Sequence, residues 1–452
     1  MLGGCTGFSV DGGFGRVERE TRSRLGANVQ VPRPTDGTAT TEVRALLAKP
    51  ISADDAVQIA LLSNPGLKAS LAELQIAEAD LVQAGRLRNP GFGFAHFQKG
   101  SEITLEYSLI FDILGLVTLP LKVGIESRRF EQAQLGATAH VLKLAMETRR
   151  AYFRAVAAQE SVAYFGQVKT AAETGAELAR RMAQVGNWSK LAQMHEQLFY
   201  AESAGQLARA KQTAIEERER LTRLMGLWGS DLGFKLPERL PGLPSKATER
   251  TEVEATALKN RLDVQMATQE VAGMAKAIGL TKAVRFVNVM DLGYRHNASN
   301  EAPRETGYEI NIQIPIFDWG DAKLARAEAA YTQAVNRTAE TAINARSEAR
   351  EAYQAYRTAF DIARHYRDEI LPLRKKISDE QLLRYNGMLI SVFELIADAR
   401  DQVMTVKSYI DALRDYWIAE TNLQGALSGP SDGMRDAPYQ PSSMPAATGG
   451  RH

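Results

Sequence analysis

The chain has 452 residues, 55 of them basic and 54 acidic, for a formal net charge of +1, and so balanced a composition builds no field that would draw nucleic acid. With 44% hydrophobic residues, a mean hydropathy of −0.26 and no apolar run near the ~18 residues a spanning helix needs, a helical membrane protein is excluded, while a soluble protein or a β-barrel is not. This length allows two or three ordinary domains.

Cys5 is the one cysteine, so no internal disulfide forms. It closes Leu2-Gly3-Gly4-Cys5, which resembles the lipobox of bacterial lipoproteins, where the cysteine becomes the lipidated first residue. No charged and apolar signal segment stands before it, so either the start lies upstream of Met1 or the match is chance and Cys5 an ordinary N-terminal thiol. Residues 1–50, with scattered Gly, Pro, Thr and Arg, read as a loosely packed arm with a short helix around Val17–Leu25. Ser52 then stands where an N-cap would, ahead of a helix to about Gly85.

From Pro90 the apolar period changes to two. Gly91–Gln98 and Glu102–Phe111 read as strands around the turn Lys99-Gly-Ser101. In the second, Ile103, Leu105, Tyr107, Leu109 and Phe111 share one face, and Glu102, Thr104, Glu106 and Ser108 the other. The ordinary explanation is one side of a soluble core. Two features argue for more: long helices follow instead of further strands, and the hairpin has a twin. The twin is Val284–Tyr294 with Tyr308–Ile316, joined by the polar loop Arg295–Gly307. Tyr308, Ile310, Ile312, Ile314 and Ile316 face one way; Glu309, Asn311 and Gln313 face the other. Each strand has the length that crosses a bilayer when tilted. The apolar parity, including Ile103, Leu105, Tyr107, Leu109, Ile310, Ile312 and Ile314, is expected to face lipid. Both hairpins exit through Ile-Phe-Asp, at 110–112 and 316–318, and Phe317 and Trp319 lie where an aromatic belt would.

After each hairpin a helix of roughly 65 residues is expected, about 100 Å long. From Tyr331 to Ile377 the apolar residues, many of them Ala, step by four and three, and the same stripe recurs 201 residues earlier. A sustained heptad means coiled-coil packing, and the Ala content means close backbones. Pro372 predicts a kink or break. Each long helix reverses at a tip, Gly186–Ser189 and Gly387–Ser391, into a return helix, 190–227 and 392–427. Gly387 is expected to supply a left-handed or open backbone and Ser391 an N-cap. The domain reading follows: 1–50 arm, 51–228 first repeat, 229–248 Pro-rich linker, 249–428 second repeat, 429–452 disordered tail. The second hairpin is longer by nine residues, the difference between offsets of 206 and 197, and indels confined to loops and rims are what an internal structural duplication leaves.

With these pieces in place the sequence resembles the TolC-like outer membrane efflux proteins. The resemblance rests on Ala56-Val-Gln-Ile-Ala-Leu-Leu-Ser-Asn-Pro-Gly-Leu67, its copy Ala257-Leu-Lys-Asn-Arg-Leu-Asp-Val264, the Ile-Phe-Asp exits, the tip 387–400 and the closing Leu423–Gly429. It covers roughly 51–429. It implies a mainly α protein with a transmembrane β-barrel. Each copy of a homotrimer would give four strands to a twelve-stranded barrel and its long coiled-coil helical hairpins to a periplasmic tunnel. It further implies an exit duct of a tripartite efflux or type I secretion system, in the outer membrane of a Gram-negative bacterium. Its partners would be outer membrane lipid, a periplasmic adaptor and an inner membrane pump. Some relatives are lipoproteins, which suits Cys5.

A duct must close at its periplasmic end, so the tips are the candidate gate and, at Gly186, Ser189, Gly387 and Ser391, the candidate adaptor contacts. A ring of carboxylates there would bind cations. The resemblance implies acids one and two turns into the returning helix; here Glu394 takes the first place, but Ala397 the second, with Asp398 one step on. Glu394, Asp398 and Asp401 are the available acids, and Arg384 and Arg400 the available latches. Each is, taken singly, as readily a solvated surface charge. Six widely spaced histidines show no metal-ligand pattern, and no nucleophile elbow, phosphate loop or zinc-protease motif occurs, so neither an enzyme nor a cofactor is expected. Asp54-Asp55 and Glu216-Glu217 read as solvated helix positions, and Met182, Met194 and Met225 as packing more than soft-metal ligands. The competing class is a soluble coiled-coil scaffold, which has no use for paired amphipathic hairpins.

Overall fold

A computed structural model describes residues 7–26, 29–31, 39–283, 289–313 and 316–429. Ser52 caps α3 (Ala53–Ser63) in a capping box with Asp55: Asp55 N donates to Ser52 Oγ at 3.1 Å and Ser52 N to Asp55 Oδ2 at 3.0 Å. The single helix expected to Gly85 is two, because Pro65 bars the helical backbone at Asn64. Asn64 is extended (φ −65°, ψ 117°) and caps α4 (Pro65–Ala84), its Oδ1 accepting from Leu67 N at 3.0 Å. Its Nδ2 donates to Leu224 O at 2.9 Å, gripping the end of α6 (Lys190–Met225).

The second half breaks in the same place. Arg261, 197 residues on (261 − 64), is extended between α7 (Val253–Asn260) and α8 (Leu262–Ala283). It is fully buried, ion-paired to Asp263 at 2.6 Å and Glu348 at 2.7 Å, and its Nη1 donates to Ala426 O at 3.4 Å near the end of α11 (Val392–Ser428). Different chemistry thus fastens each break to the returning helix.

The described part of the arm is docked, not loose. Phe14 and Val17 of α1 (Phe14–Leu25) are buried against Leu67, Leu71 and Leu74 of α4 and Val141 of α5 (Ile113–Gln184). Ser9 N donates to Glu78 Oε1 at 2.7 Å. Gly13, at φ +77°, lies so close to Phe130 that a Cβ would come within 2.5 Å of the ring. A second arm helix, α2, covers Ala39–Leu47. Cys5 lies outside the described residues.

α5 has 72 residues, about 110 Å at the α-helical rise. Ala139, Ala151, Ala155, Ala345 and Ala349 are almost wholly buried, so small side chains mark where the rods meet. At Pro372, where a kink or break is expected, the rod takes a widened turn. α9 (Asp321–His365) passes into a π-helical turn, Tyr366–Ile370, and then α10 (Leu371–Asn386), with right-handed helical dihedrals at His365, Tyr366, Ile370 and Leu371. The extra residue per turn accommodates the proline ring and its missing N–H.

The Pro-rich connection is a belt that also supplies core. Phe234, Leu236, Leu240 and Leu243 are buried in the main cluster with Tyr152, Phe153, Tyr356 and Tyr416. Leu240 N donates to Glu160 Oε2 at 3.0 Å, Trp417 Nε1 to Pro241 O at 2.9 Å and Arg367 Nη1 to Leu243 O at 3.2 Å. The belt therefore binds α5, α11 and the π-helical turn.

Four antiparallel strands form one sheet in the order β1 (Gly91–Lys99), β2 (Glu102–Asp112), β3 (Met290–Ser299), β4 (Glu305–Ile312). The second hairpin reaches beyond the expected Val284–Tyr294 and Tyr308–Ile316 into the loop between them, while residues 284–288 lie outside the described residues. Residues 295–299 and 305–307, expected as loop, are strand because β2 and each other offer them a ladder: Glu106 pairs with Asn297 and Thr104 with Ser299. Asn300 ties the two turns, accepting from Ile103 N at 2.8 Å and donating to Ser101 O at 2.8 Å. Ile314 lies outside the described residues.

Candidate functional site: the sheet faces and the helical tips

Register, not strand by strand alternation, decides whether the sheet has an apolar side. Cross-strand partners share a face. Phe92, Leu109, Tyr294 and Tyr308 form one row; Phe94, Tyr107 and His296 a second; Phe111, Leu292 and Ile310 a third. Ring centroids lie 5.3 Å apart for Phe94–Tyr107 and 5.8 Å for Tyr294–Tyr308. The other face holds Gly93, Ser108, Arg295 and Gly307 in one row and Ala95, Glu106, Asn297 and Glu305 in the next. All four strands thus point their apolar parity the same way. That side is open: Phe92 is 70% exposed and Tyr308 83%. β1 and β4 each pair on one side among the described residues, leaving two unpaired edges. Among those residues no helix is long and apolar enough to cross a membrane.

At the first tip Gly186 takes φ +77°, Asn187 N donates to Met182 O at 2.9 Å, and Ser189 Oγ caps α6 by accepting from Ala192 N at 3.1 Å. At the second, Gly387, expected to be left-handed or open, does not take the left-handed conformation. Gly387 sits at φ −80°, and Met388 takes φ +57°. Leu389 N donates to Arg384 O at 2.8 Å and closes the turn, which puts the left-handed residue one place later than the glycine. Met388 is 93% exposed, with Leu389 beside it also exposed.

The candidate gate residues separate into different roles. Glu394 is engaged with its own helix: Ser391 Oγ accepts from Glu394 N at 3.4 Å and Glu394 Oε1 accepts from Ser391 N at 3.5 Å, a capping box. Arg384 pairs with Glu380 on its own helix at 3.2 Å and meets none of the tip acids. Asp398 and Asp401 do share a partner, one the sequence reading missed. Arg374 Nη2 lies 3.3 Å from Asp398 Oδ1 and 3.1 Å from Asp401 Oδ2, and donates to Asp398 O at 2.8 Å. Asp398 is buried and its Oδ2 has no hydrogen-bond partner. The signal was three successive cations, Arg374-Lys375-Lys376, on the facing helix; periodicity alone does not select among them.

Arg400 instead reaches α6, 3.3 Å from Glu202 and 5.4 Å from the Phe199 ring centroid. Beside it, burial pushes the Glu196 carboxyl up, offset in part by Arg400. The tip hairpin is therefore pinned twice, within itself by Arg374 and to the first hairpin by Arg400.

No protein-family model matches the sequence, and no curated protein does. Solved structures match over nearly the whole chain. The outer membrane protein VceC of Vibrio cholerae is 16% identical, with a TM-score of 0.70 over 84% of this chain and 96% of its own. CusC, described as forming a transmembrane channel, is 17% identical, with a TM-score of 0.69 over 89% and 99%. The open-state MtrE outer membrane channel of Neisseria gonorrhoeae is 15% identical, with a TM-score of 0.69 over 83% and 89%.

Proposed function

With a fold shared with outer membrane channels, we propose that this chain is the exit duct of a tripartite efflux or type I secretion system, passive itself, in the outer membrane of a Gram-negative bacterium. The observation that carries the reading is the exposed apolar face running across four strands with two unpaired edges. Open edges do not persist in lipid, and four strands are too few to close a barrel. Copies of the chain remove the edges, and three of them make a twelve-stranded barrel from the two duplicated halves. The apolar rows then face lipid and the rows of Glu106, Arg295 and Asn297 line the pore. A soluble scaffold would leave the apolar face wet. Outer membrane fractionation and a heat-modifiable trimer on gels test the assembly; a monomer in the soluble fraction refutes it.

The pump and adaptor belong at the other end, where Val185, Met388 and Leu389 are exposed apolar tips beside Gly186, Ser189, Gly387 and Ser391. The gate charges are Arg374 with Asp398 and Asp401, and Arg400 with Glu202. In planar bilayers Arg374→Ala and Arg400→Ala should each raise single-channel conductance, since each frees a returning helix from a neighbour. Glu394→Ala should change cation selectivity less than Asp401→Ala, because Glu394 serves its own cap. Wild-type conductance in both arginine variants would move the gate elsewhere.

Cys5 is proposed as a lipid attachment, which adds roughly 0.8 kcal/mol of membrane affinity per buried CH₂. Mass spectrometry of the N-terminal peptide, from a gene carrying its upstream signal, should show acylation; a free thiol there refutes it.

A further inference from the structure

An open cleft of about 500 Å³ lies between α5, α6 and α11, well away from the tips and the strands. Four cations line it: Arg154 of α5, Arg209 of α6, and Lys407 and Arg414 of α11. Three carboxylates stand among them, and two are committed. Asp411 takes Lys407 at 2.5 Å and Arg414 at 2.8 Å, and Asp415 takes Arg414 at 2.8 Å.

Arg154 and Arg209 make no hydrogen bond or ion pair with a described residue. Arg154 is partly buried, and that burial, with the like charges of Arg220, Arg150 and Arg414 around it and Glu217 pulling the other way, pushes its pKa down. Glu217 is the one acid offsetting this, and it forms no ion pair with Arg154; a partly buried cation outnumbered by like charges is costly, and a bound anion lowers the cost. Guanidinium groups converging on one cleft match a tetrahedral oxyanion better than a planar or apolar guest. Glu217 has the opposite need: its Oε2 is buried without a hydrogen-bond partner. A carboxylate oxygen in that position accepts a proton donor and repels a fully deprotonated anion.

We propose that this cleft binds orthophosphate, with Arg154 and Arg209 donating to its bare oxygens and Glu217 accepting from its P–OH. Orthophosphate keeps a hydroxyl at neutral pH; sulfate has none. A site that spends a buried acceptor on that hydroxyl rejects the anion lacking it. The carboxylate among the cations thereby sets the choice between two ions of the same shape.

Titration calorimetry on the full chain, purified in detergent at neutral pH, tests it with orthophosphate and sulfate as probes. Orthophosphate should bind and sulfate should bind at least roughly tenfold more weakly, about 1.4 kcal/mol. Arg209 is exposed, so Arg209→Gln should fold as wild type and weaken phosphate at least about tenfold. Glu217→Gln, whose amide can donate, should admit sulfate and erase the preference. Glycerol phosphate separates free phosphate from an ester: it should bind below its second pKa, near 6, and fall away above it. No heat with orthophosphate, equal binding of the two ions by the wild-type chain, or unchanged affinity in Arg209→Gln overturns the assignment. None of these readings depends on whether the chain conducts.

Discussion

Replacing Arg261 with methionine should destabilise the protein by about 3–5 kcal/mol, the usual cost of breaking a buried ion pair by removing one partner. Arg261 holds Asp263 with a fork, Nε to Oδ1 at 3.0 Å and Nη2 to Oδ2 at 2.6 Å, and its side chain is 0% exposed against 9% for Asp263. Burial works against the charge, yet Asp263 and Glu348 outweigh it and push the Arg261 pKa up. Methionine fills the volume and supplies no cation. Glu348, more exposed, can take up water; Asp263 has far less access to it, so most of the cost falls there. The loss should appear as a lower Tm of the detergent-extracted protein. Arg261→Met with Asp263→Leu should recover much of it, because the more buried of Arg261's two carboxylate partners is removed with it. Arg350→Ala breaks an exposed pair with Glu254, 60% and 39% exposed, and should cost no more than about 1 kcal/mol. Equal effects at 261 and 350 would show that the break between α7 and α8 is not held by charge.

The second large effect lies in the sheet. Tyr107→Arg should cost about 2–4 kcal/mol, the range for a cation on the lipid face of a barrel near its midplane. Glu106→Arg, one residue away at the same depth, should be tolerated, because its row faces the pore of the proposed barrel. Tyr107 shares its row with Phe94 and His296, Glu106 with Ala95, Asn297 and Glu305. The comparison is read as the urea midpoint of the reconstituted protein. Equal losses at the two positions would refute the facing.

Much of this architecture was legible because period and length are cheap to read. The alternation in β2 survives as a face, and the stripe from Tyr331 to Ile377 marks a rod, since neither needs a neighbour to be seen. The errors fall where a neighbour decides. Residues 295–299 carry too few apolar side chains to signal a strand; the ladder to β2 makes them one. Pro65 was visible as a helix breaker, but the apolar run around it masked the consequence. Gly387 looked like the left-handed residue of the tip, while the closing hydrogen bond from Leu389 to Arg384 O assigns that dihedral to Met388. The acidic gate candidates were chosen from the returning helix, and the one cation chosen from the facing helix was Arg384, beside the tip. Arg374 sits on the other helix, and which of three adjacent cations turns inward is set by packing. The short helix around Val17–Leu25 was legible in the arm, but its docking was not, because contact through Ser9, Gly13 and Phe14 is a matter of fit, not of period.

The belt has a consequence in leverage. It ties Glu160, Arg367 and Trp417 at one level, and that level is where the second rod carries its π-helical turn. A rod gripped at its most compliant turn pivots there and transmits little bending past the grip. From that turn to Met388 is some twenty residues, a lever of about 30 Å. A rotation of about 5° at the pivot then sweeps the tip through roughly 2–3 Å. Arg374, about six residues or ~9 Å from the centre of the turn, moves by less than about 1 Å in the same rotation, so small angles at the belt swing the tip while the pins near the pivot hold, and the sheet beyond the belt need not move at all.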